Sequence, residues 1–127
     1  MIGVDTNILV RAYLEDDEKQ TEEAQNFLLK TTQKNSLFIS SYAILEFAWV
    51  LKTKNYSRKE IYEAIVVLAD AAGVTIGQRD VVLEALEKYI KGKADFGDYM
   101  ILSEGEKNKS YQLKTFDQAI KKELAEE

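Results

Sequence analysis

The 127-residue sequence contains no cysteine, no histidine and no proline. Without cysteine, the chain has neither a disulfide framework nor thiolate ligands for a metal ion. Without histidine as well, Cys–His pairs, Ser–His–Asp triads and imidazole-based zinc sites are all excluded. Any catalysis must therefore rest on carboxylates, hydroxyls, lysine, arginine, tyrosine or a hard metal ion bound through oxygen.

Other missing features bear on where the protein acts. The sequence has no run of about 18 apolar residues, so no membrane-spanning helix is predicted. The first ten residues, MIGVDTNILV, contain neither a basic leader nor a small-residue cleavage site, so we expect no secretory signal and a cytoplasmic location. No repeat, linker or low-complexity tract interrupts the chain, which predicts one domain over residues 1–127 with a single core.

The charge balance is acidic, with 22 acidic and 17 basic residues and a formal net charge of −5. This balance argues against non-specific coating of nucleic acid, because phosphate binding depends on neutralising cations. It is compatible with a local basic patch, and with acids gathered where a metal ion offsets their charge. Most basic residues are expected to be solvated, and the pattern leaves open which of them line a phosphate-binding rim: Lys52, Lys54, Arg58, Lys59, Lys88, Lys91, Lys93, Lys107 and Lys109.

Short apolar segments alternate with longer helical patterns along the chain. Strands are predicted at 1–4, where the short apolar segment suits a buried strand, and at 37–40, 74–76 and 111–115. Helices are predicted at 7–14, from 17 or 18 to about 32, at 41–54, 58–72, 79–91, 95–107 and from 118 onward. Ser57 is the expected N-cap of the helix at 58–72, with Glu60 completing a capping box. This alternation is typical of a parallel β-sheet with helices on its faces. Ligands bind beyond the carboxyl ends of the strands in such sheets.

Asp5 and Asp117 each follow a predicted strand and precede a predicted helix. Each is either the N-cap of its helix or a ligand at the strand end, and the sequence alone leaves both interpretations open. Thr6 and Asn7 lie beside the first acid, and Thr115 lies beside the second. These polar side chains are suited to orienting a carboxylate or a water molecule.

Glu46 stands in the segment SSYAILEFAWVLKTK, where its immediate neighbours are apolar. At helical spacing its face carries no other charged residue, only Tyr42, Ala43, Trp49, Val50 and Thr53. A buried, unpaired carboxylate costs several kcal/mol or becomes neutral. The pattern therefore predicts a pocket with a counter-ion, which favours a functional role for Glu46 over a purely structural one.

Asp95 and Asp98 are three residues apart in KADFGDYMIL, just before an apolar run. An acid at the N-cap satisfies backbone N–H groups, and a second acid in the first turn suits the positive helix end. For Asp95 the cap interpretation is favoured. Asp98 stands beside Gly97, whose missing side chain leaves room for an approaching ligand.

Four segments, VDTNILVR, SSYAILEFAWVL, ADFGDYMIL and LKTFDQAIKK, occur in register over nearly the whole chain. Together they resemble the PIN domain, and in particular the small VapC-like toxin ribonucleases. The resemblance implies an α/β fold in which a short parallel β-sheet is flanked by α-helices, as an α/β/α sandwich. It also implies metal-dependent cleavage of an RNA substrate, a cognate antitoxin as partner, and a homodimer.

By position in these segments, the family's acids correspond to Asp5, Glu46, Asp98 and Asp117. The resemblance implies that Asp5 and Asp98 contact a Mg²⁺ or Mn²⁺ ion directly. It implies that Glu46 and Asp117 complete the pocket, either directly or through water molecules.

Four more residues take supporting positions by the same resemblance. Thr6, Asn7 and Thr115 match polar residues that accompany the family's acids. Asp95 matches an acid that occurs in only part of the family.

The chemistry of phosphodiester hydrolysis suits such a set of carboxylates. The reaction needs an activated water and stabilisation of charge on the phosphate, and one or two Mg²⁺ ions supply both. Mg²⁺ prefers carboxylate and water oxygens. Without a cation, two carboxylates about 4 Å apart repel by roughly 4 kcal/mol at an effective dielectric constant near 20. Four converging acids would therefore be hard to explain without a metal ion.

Two alternative functions are open from the residues. A receiver-like phosphoacceptor domain or an aspartyl phosphatase is also α/β, but the phosphatase motif needs a second aspartate where Asn7 stands, and TIGQRD gives no convincing receiver pattern. A PIN-like domain that binds RNA or a partner without turnover is the non-enzymatic alternative. The intact acid set argues against it.

Overall fold

A computed structural model describes residues 1–126; Glu127, the last residue of the expected single domain, lies outside the described residues. The described chain contains, in order, β1 (Ile2–Gly3), α1 (Thr6–Leu14), α2 (Glu18–Gln33), β2 (Leu37–Ile39), α3 (Ser41–Thr53), α4 (Arg58–Asp70), β3 (Val74–Ile76), α5 (Arg79–Lys91), α6 (Phe96–Gly105) and α7 (Gln118–Ala125). It divides into two compact units, of which the first is Met1–Arg79 and the second begins at Asp80. None of the helices within residues 1–126 is long and apolar enough to cross a membrane.

The first unit contains a three-stranded parallel sheet in the order β1–β2–β3. Leu37 and Ile39 of the central strand are buried, as expected for a strand with a neighbour on each side. β1 has one paired neighbour within the described chain, and Ile2 is exposed. The prediction of a parallel sheet is therefore confirmed, whereas the prediction that the first strand is buried is wrong.

Helix α2 contacts β2 and α4 contacts β3, while α1 packs against α2 and α3, and α3 packs against α4. In α3 the residues Ile44, Phe47, Ala48 and Leu51 recur at helical spacing, and all four are buried. Burying a Leu, Ile or Phe side chain contributes about 1.5–3 kcal/mol to folding. Ser57 begins α4 with the predicted capping box.

The second unit consists of α5, α6 and α7. Its core contains Val82 and Leu86 of α5, Tyr99 of α6 and Ile120 of α7, all of which are buried. Tyr89 contacts two rings edge to face, with centroid distances of 5.9 Å to Phe96 and 6.4 Å to Tyr99. Such aromatic pairs stabilise a core beyond the area that they bury.

Residues 111–115, predicted as a strand, form no strand in the described chain. The segment 111–117 nevertheless alternates in burial: its odd-numbered residues are half-buried and its even-numbered residues are exposed. Alternation is a property of any extended chain, whereas a strand also needs a paired neighbour. The prediction of a strand at 111–115 is therefore wrong, although the segment has the alternating burial that an extended chain produces.

Candidate functional site

Asp5, Thr6 and Glu46 are joined at the surface of the first unit. Asp5 is the N-cap of α1, where its Oδ1 accepts a hydrogen bond from the Ile8 N–H with an N···O distance of 3.3 Å. The Thr6 hydroxyl donates to Glu46 Oε2 at 3.1 Å. Asn7, next in the helix, is exposed. The start of α1 and the middle of α3 are thus linked through two of the proposed site residues.

Glu46 is exposed, so the prediction that its carboxylate is buried is wrong, whereas its role beside a counter-ion stays a prediction. The buried face of α3 is formed by Ile44 and Phe47, and Glu46 lies on another face. That face carries Tyr42, which is 72% exposed, and Trp49, which is 60% exposed. The absence of charged neighbours suggested burial because large apolar residues usually lie inside, but here two aromatic residues lie outside.

Asp95 and Asp98 form a reciprocal capping box at the start of α6. Asp95 is the N-cap, as predicted, and its backbone N–H donates to Asp98 Oδ2 at 3.2 Å. Asp98 is half-buried in the first turn of the helix. The capping box therefore fixes both aspartates relative to the helix axis.

Asp117 is the N-cap of α7, and its Oδ1 accepts from the Ile120 N–H at 2.9 Å. The backbone N–H of Asp117 donates to Thr115 Oγ1 at 3.0 Å. Both side chains are half-buried. The predicted partnership of this threonine and this acid is therefore present, although the hydroxyl contacts the backbone of the aspartate rather than its carboxylate.

The cap interpretation and the ligand interpretation are compatible for two of these acids. Asp5 and Asp117 each use Oδ1 for the helix cap, and within residues 1–126 no donor bonds to Oδ2 of either side chain. Glu46 similarly uses Oε2 for Thr6. One carboxylate oxygen can therefore complete the local structure while the other is open to a ligand.

The atoms of these side chains that could bind a metal ion are oxygens, which are the ligands that Mg²⁺ and Mn²⁺ prefer. Among residues 1–126, however, no three acidic side chains form a group that could hold a metal ion. The structure instead joins Asp5 to Glu46 through Thr6 in the first unit, and Asp95 to Asp98 in the second. The four-carboxylate site stays a prediction.

Sequence reasoning missed a partly buried hydrogen-bond network in the second unit. The Tyr99 hydroxyl donates to the Glu123 carboxylate, 2.8 Å from both of its oxygens, and accepts from the Ala94 N–H at 3.1 Å. The Lys93 N–H donates to Glu123 Oε1 at 3.0 Å. Burial is the main cause that raises the pKa of Tyr99, which is 1% exposed. The network ties α7 to the segment that leads into α6.

No local signal in the sequence marks this network, because its partners are far apart along the chain. Tyr99 and Glu123 are separated by 24 positions. A Cβ atom at Gly92 would overlap the Tyr99 hydroxyl and press against the Glu123 carboxylate. The glycine is therefore needed for close approach, which only the folded structure reveals.

The structure also distinguishes among the basic residues. Four of the nine lysines and arginines named as rim candidates pair with acids: Lys59 with Glu63, Lys88 with Glu106, Lys91 with Glu87, and Lys107 with Asp80 and Glu84. Neighbouring carboxylates offset the charge of these four, which makes them weaker candidates for binding phosphate.

The first unit also contains an open groove of about 420 Å³. Its lining is mainly apolar and includes Leu9, Tyr13 and Phe47, with Glu60 and Glu63 as the charged members. Burial, followed by the nearby Tyr56 and these glutamates, raises the pKa of Tyr13. The groove thus combines an apolar surface with negative charge.

The PIN domain family matches residues 2–123 of the chain. Because the match covers nearly the whole sequence, the chain belongs to the PIN domain family. The prediction of an α/β PIN fold is confirmed. The PIN domain is a nuclease fold whose members typically use divalent metal ions and act on RNA. No curated protein matches the chain.

Proposed function

We propose that the protein is an endoribonuclease that hydrolyses RNA phosphodiester bonds with Mg²⁺ or Mn²⁺ held by Asp5, Glu46, Asp98 and Asp117. The observation that carries this proposal is the PIN match over residues 2–123. When bound, a divalent ion would supply an activated water and stabilise charge on the phosphate. In this proposal, Asp5 and Asp98 are the direct ligands, and residues 1–127 form a single PIN domain.

The local geometry supports the assignment of these acids. Asp5 and Asp117 each keep one carboxylate oxygen without a donor in the described chain, so a cation can bind there without breaking the helix cap. Thr6 orients Glu46, and Thr115 holds the backbone that precedes α7. Fixed ligands lower the cost of ordering a site.

The two remaining supporting residues have different contacts. Asp95 caps the helix that carries Asp98, and the reciprocal hydrogen bond limits how that carboxylate can turn. Asn7 is exposed in the first turn of α1, next to Thr6. We assign Asp95 a positioning role and assign Asn7 a contact with the substrate or a bound water.

The direct test is cleavage of structured RNA by the purified protein in Mg²⁺ or Mn²⁺, and its loss in EDTA. Asp98→Asn should reduce the rate by at least about a hundredfold, since charge stabilisation in a site of this kind is often the largest catalytic effect. If Asp98→Asn cut as fast as the parent, the assignment of Asp98 would fail. Mn²⁺ binding, followed by electron paramagnetic resonance of the free ion, should weaken in parallel.

Asp17 provides a matched control for the acids that cap helices. It is the N-cap of α2, where its Oδ1 accepts from the Gln20 N–H at 3.0 Å, but it is outside the proposed site. Asp17→Asn removes the same charge in the same local setting. It should keep cleavage near the parental rate, whereas Asp5→Asn and Asp117→Asn should lose it. Equal effects of all three would assign the loss to helix stability.

We also propose that the protein is the cytoplasmic toxin of a type II toxin–antitoxin system and that it forms a homodimer. The groove beside Tyr13 supports a protein partner, because apolar walls with Glu60 and Glu63 suit a basic amphipathic segment of an antitoxin. The exposed rings of Tyr42 and Trp49 on α3 support contact between two copies. Sedimentation of the parent and of Trp49→Ala tests the dimer.

The toxin role is tested in cells. Induction of the parent protein should arrest growth and create new RNA 5′ ends, whereas Asp5→Ala should do neither. Co-expression of a cognate antitoxin should restore growth. Arrest without new RNA 5′ ends would contradict the ribonuclease assignment.

The alternative function is RNA or partner binding without turnover. One observation favours it: within residues 1–126, the acids do not form a metal-binding group of three. Binding of Mn²⁺ and RNA without cleavage of any RNA tried would establish this alternative. The receiver-like alternative predicts a phosphorylated aspartate after treatment with acetyl phosphate, and we expect mass spectrometry to find none.

A further inference from the structure

An exposed phenylalanine lies directly before the fourth proposed acid. Phe116 is 82% exposed and precedes Asp117 in the extended segment 111–117. Because side chains alternate along an extended chain, Phe116 shares its exposed face with Lys114 and Gln112. The large apolar ring therefore has polar neighbours along its own segment.

Two lysines lie over this ring. The distance from the Phe116 ring centroid to the Nζ atom is 5.4 Å for Lys114 and 5.5 Å for Lys121, the latter from the first turn of α7. An exposed cation–aromatic contact of this kind is weak, so a stronger partner can replace it. Within residues 1–126 neither lysine forms an ion pair with a carboxylate, in contrast to Lys88 and Lys107.

We propose that Phe116, Lys114 and Lys121 form a subsite for single-stranded RNA. This inference rests on the proposed ribonuclease function and names a subsite for its substrate. An unpaired base stacks on the ring of Phe116, and the two ammonium groups bind the adjacent phosphates. Aromatic platforms flanked by cations bind single strands in this way, because every base has a flat face that can stack.

The composition of the patch favours RNA over a protein partner. A protein interface centre is usually apolar, with few charged residues. Here Lys114 and Lys121 lie over the aromatic ring, and the nearby exposed residues Gln112 and Gln118 are polar. Lys114 and Lys121, which form no ion pair in the described chain, complement a polyanion. They form a local positive patch on a chain whose overall charge is −5.

Position along the chain connects the subsite to the proposed chemistry. Phe116 is adjacent to Asp117, whose backbone is held by Thr115, and Lys121 is one helical turn further on. A base stacked on this ring is therefore held one residue along the chain from a proposed acid, whose side chain faces the other side of the extended segment. The subsite selects unpaired nucleotides, since a base inside a duplex is already stacked on its neighbours.

The test is binding of a fluorescein-labelled single-stranded RNA 12-mer, measured by anisotropy in EDTA so that no cleavage occurs. Phe116→Ala should weaken binding about tenfold, within the range known for loss of one base–aromatic stack. Phe116→Trp should bind within about threefold of the parent, because a larger ring still stacks. Phe116→Leu, which is apolar but not aromatic, should resemble Phe116→Ala.

A 2-aminopurine base in the same RNA reports stacking directly. The parent and Phe116→Trp should quench its fluorescence on binding, and Phe116→Ala and Phe116→Leu should not. The same 12-mer in a perfect duplex should bind all four proteins within about twofold of one another, because duplex bases cannot reach the ring.

The lysines are tested by the salt dependence of binding. Lys114→Ala and Lys121→Ala should each lower the slope of log affinity against log salt by about 0.7, the value for one phosphate of a single strand. Lys122→Ala is the matched control, since it removes the same charge one position further along α7 but is not over the ring. It should leave the slope near that of the parent.

Several outcomes would overturn this inference. The first is equal RNA binding by Phe116→Ala and the parent. The second is binding by Phe116→Trp that is as weak as binding by Phe116→Ala. The third is a loss of affinity in Phe116→Ala that is equal for single-stranded and duplex RNA. Unchanged RNA binding with a dimer converted to monomer in Phe116→Ala would instead assign the patch to an interface between copies. If stacking depends on Phe116 but no RNA is cut in Mg²⁺ or Mn²⁺, the subsite stands and the proposed catalytic function fails.

Discussion

The two units hold their proposed acids in different ways. In the first unit Asp5 and Glu46 are exposed, and their hydrogen bonds of 3.3 Å and 3.1 Å lie at the surface. In the second unit Asp98 and Asp117 are half-buried. There the start of α6 and the body of α7 are joined by the partly buried hydrogen bond between Tyr99 and Glu123.

This difference predicts which of the proposed acids are held firmly and which are adaptable. A surface hydrogen bond competes with water and contributes little, whereas a buried one leaves a costly unsatisfied group when it is broken. We therefore expect the half-buried carboxylates of Asp98 and Asp117 to be held more firmly than the exposed ones of Asp5 and Glu46. Site precision commonly depends on a supporting layer of this kind.

The largest effect is expected for Tyr99→Ala compared with Tyr13→Ala. Tyr99 is 1% exposed and its hydroxyl has three hydrogen-bond contacts, so its loss should lower the free energy of unfolding by about 3–5 kcal/mol. Tyr13 is 36% exposed and packs edge to face on Phe47. Its loss should cost about half as much, because less surface is buried.

Urea denaturation measures both variants. The comparison fails if Tyr13→Ala is destabilised as strongly as Tyr99→Ala. Tyr99→Ala should also weaken Mn²⁺ binding in conditions where it is still folded.

A second comparison uses one glycine from each unit. Gly92→Ala places a Cβ atom against the buried Tyr99 hydroxyl, so overpacking should cost about 1–3 kcal/mol. At Gly3 the nearest atom to a new Cβ is the Phe38 carbonyl oxygen at 3.9 Å, which is ordinary contact. Gly3→Ala should therefore be nearly neutral. Thermal unfolding of the two variants would contradict this comparison if their midpoints fell by equal amounts.

The local features of these units were predictable from sequence because they depend on residues close in the chain. The caps at Asp5, Asp17, Ser57, Asp95 and Asp117 follow from an acid or hydroxyl just before a helical pattern. The bounds of β3 and α5 agree with prediction because their apolar spacing is clear.

The features that were missed depend on contacts between distant residues. Burial of Glu46 was predicted from apolar neighbours, but a helix face can expose Tyr42 and Trp49 to solvent. The contact between Tyr99 and Glu123 has no local pattern at all. The grouping of the acids around a metal ion, inferred from family resemblance, depends on such distant contacts and stays a prediction.

The third prediction concerns pH and tests the buried network without removing the ring. Because the pKa of Tyr99 is raised above its ordinary value of 10.0, mainly by burial, the folded state binds this proton more tightly than the unfolded state. The resulting contribution to the free energy of unfolding is fully present below about pH 10 and is lost as the pH rises through the pKa of Tyr99 in the folded state.

The melting temperature of the parent should therefore fall more steeply above about pH 10 than that of Tyr99→Phe. Tyr13→Phe should flatten the profile less, since Tyr13 is partly exposed to water that screens its charge. Identical profiles for the parent and Tyr99→Phe would show that the buried hydroxyl does not control stability in this range.

A smaller effect on activity is expected from the surface contact in the first unit. Thr6→Val removes the hydroxyl that donates to Glu46 but preserves the branched shape of the side chain. The lost hydrogen bond is worth about 1 kcal/mol, which corresponds to a roughly fivefold weaker affinity for the metal ion. The Mn²⁺ concentration for half-maximal cleavage should rise by about this factor. Thr6→Ser restores the donor and should restore the parental value; an unchanged requirement in Thr6→Val would separate Thr6 from the proposed site.

The smallest effect is expected from surface charges of the second unit. Lys107 Nζ lies 2.7 Å from Glu84 Oε1 and 3.4 Å from Asp80 Oδ2, and these acids raise the pKa of Lys107. The pKa of Asp80 is lowered, first by the backbone N–H of Val81 and then by Lys107. The contribution of Asp80 to the free energy of unfolding is present above its pKa in the unfolded state and disappears as the pH falls through its pKa in the folded state.

Lys107→Met should therefore lower the melting temperature slightly at neutral pH and low salt, with a smaller difference at acidic pH. High salt should remove the difference, since exposed pairs are screened. Lys59→Met is the first-unit counterpart, because Lys59 is 4.0 Å from Glu63 and should contribute less. If the melting temperature of Lys107→Met were still lowered in 1 M salt, the second unit would depend on this cluster for packing rather than for charge. The difference between the two units would then include their surfaces.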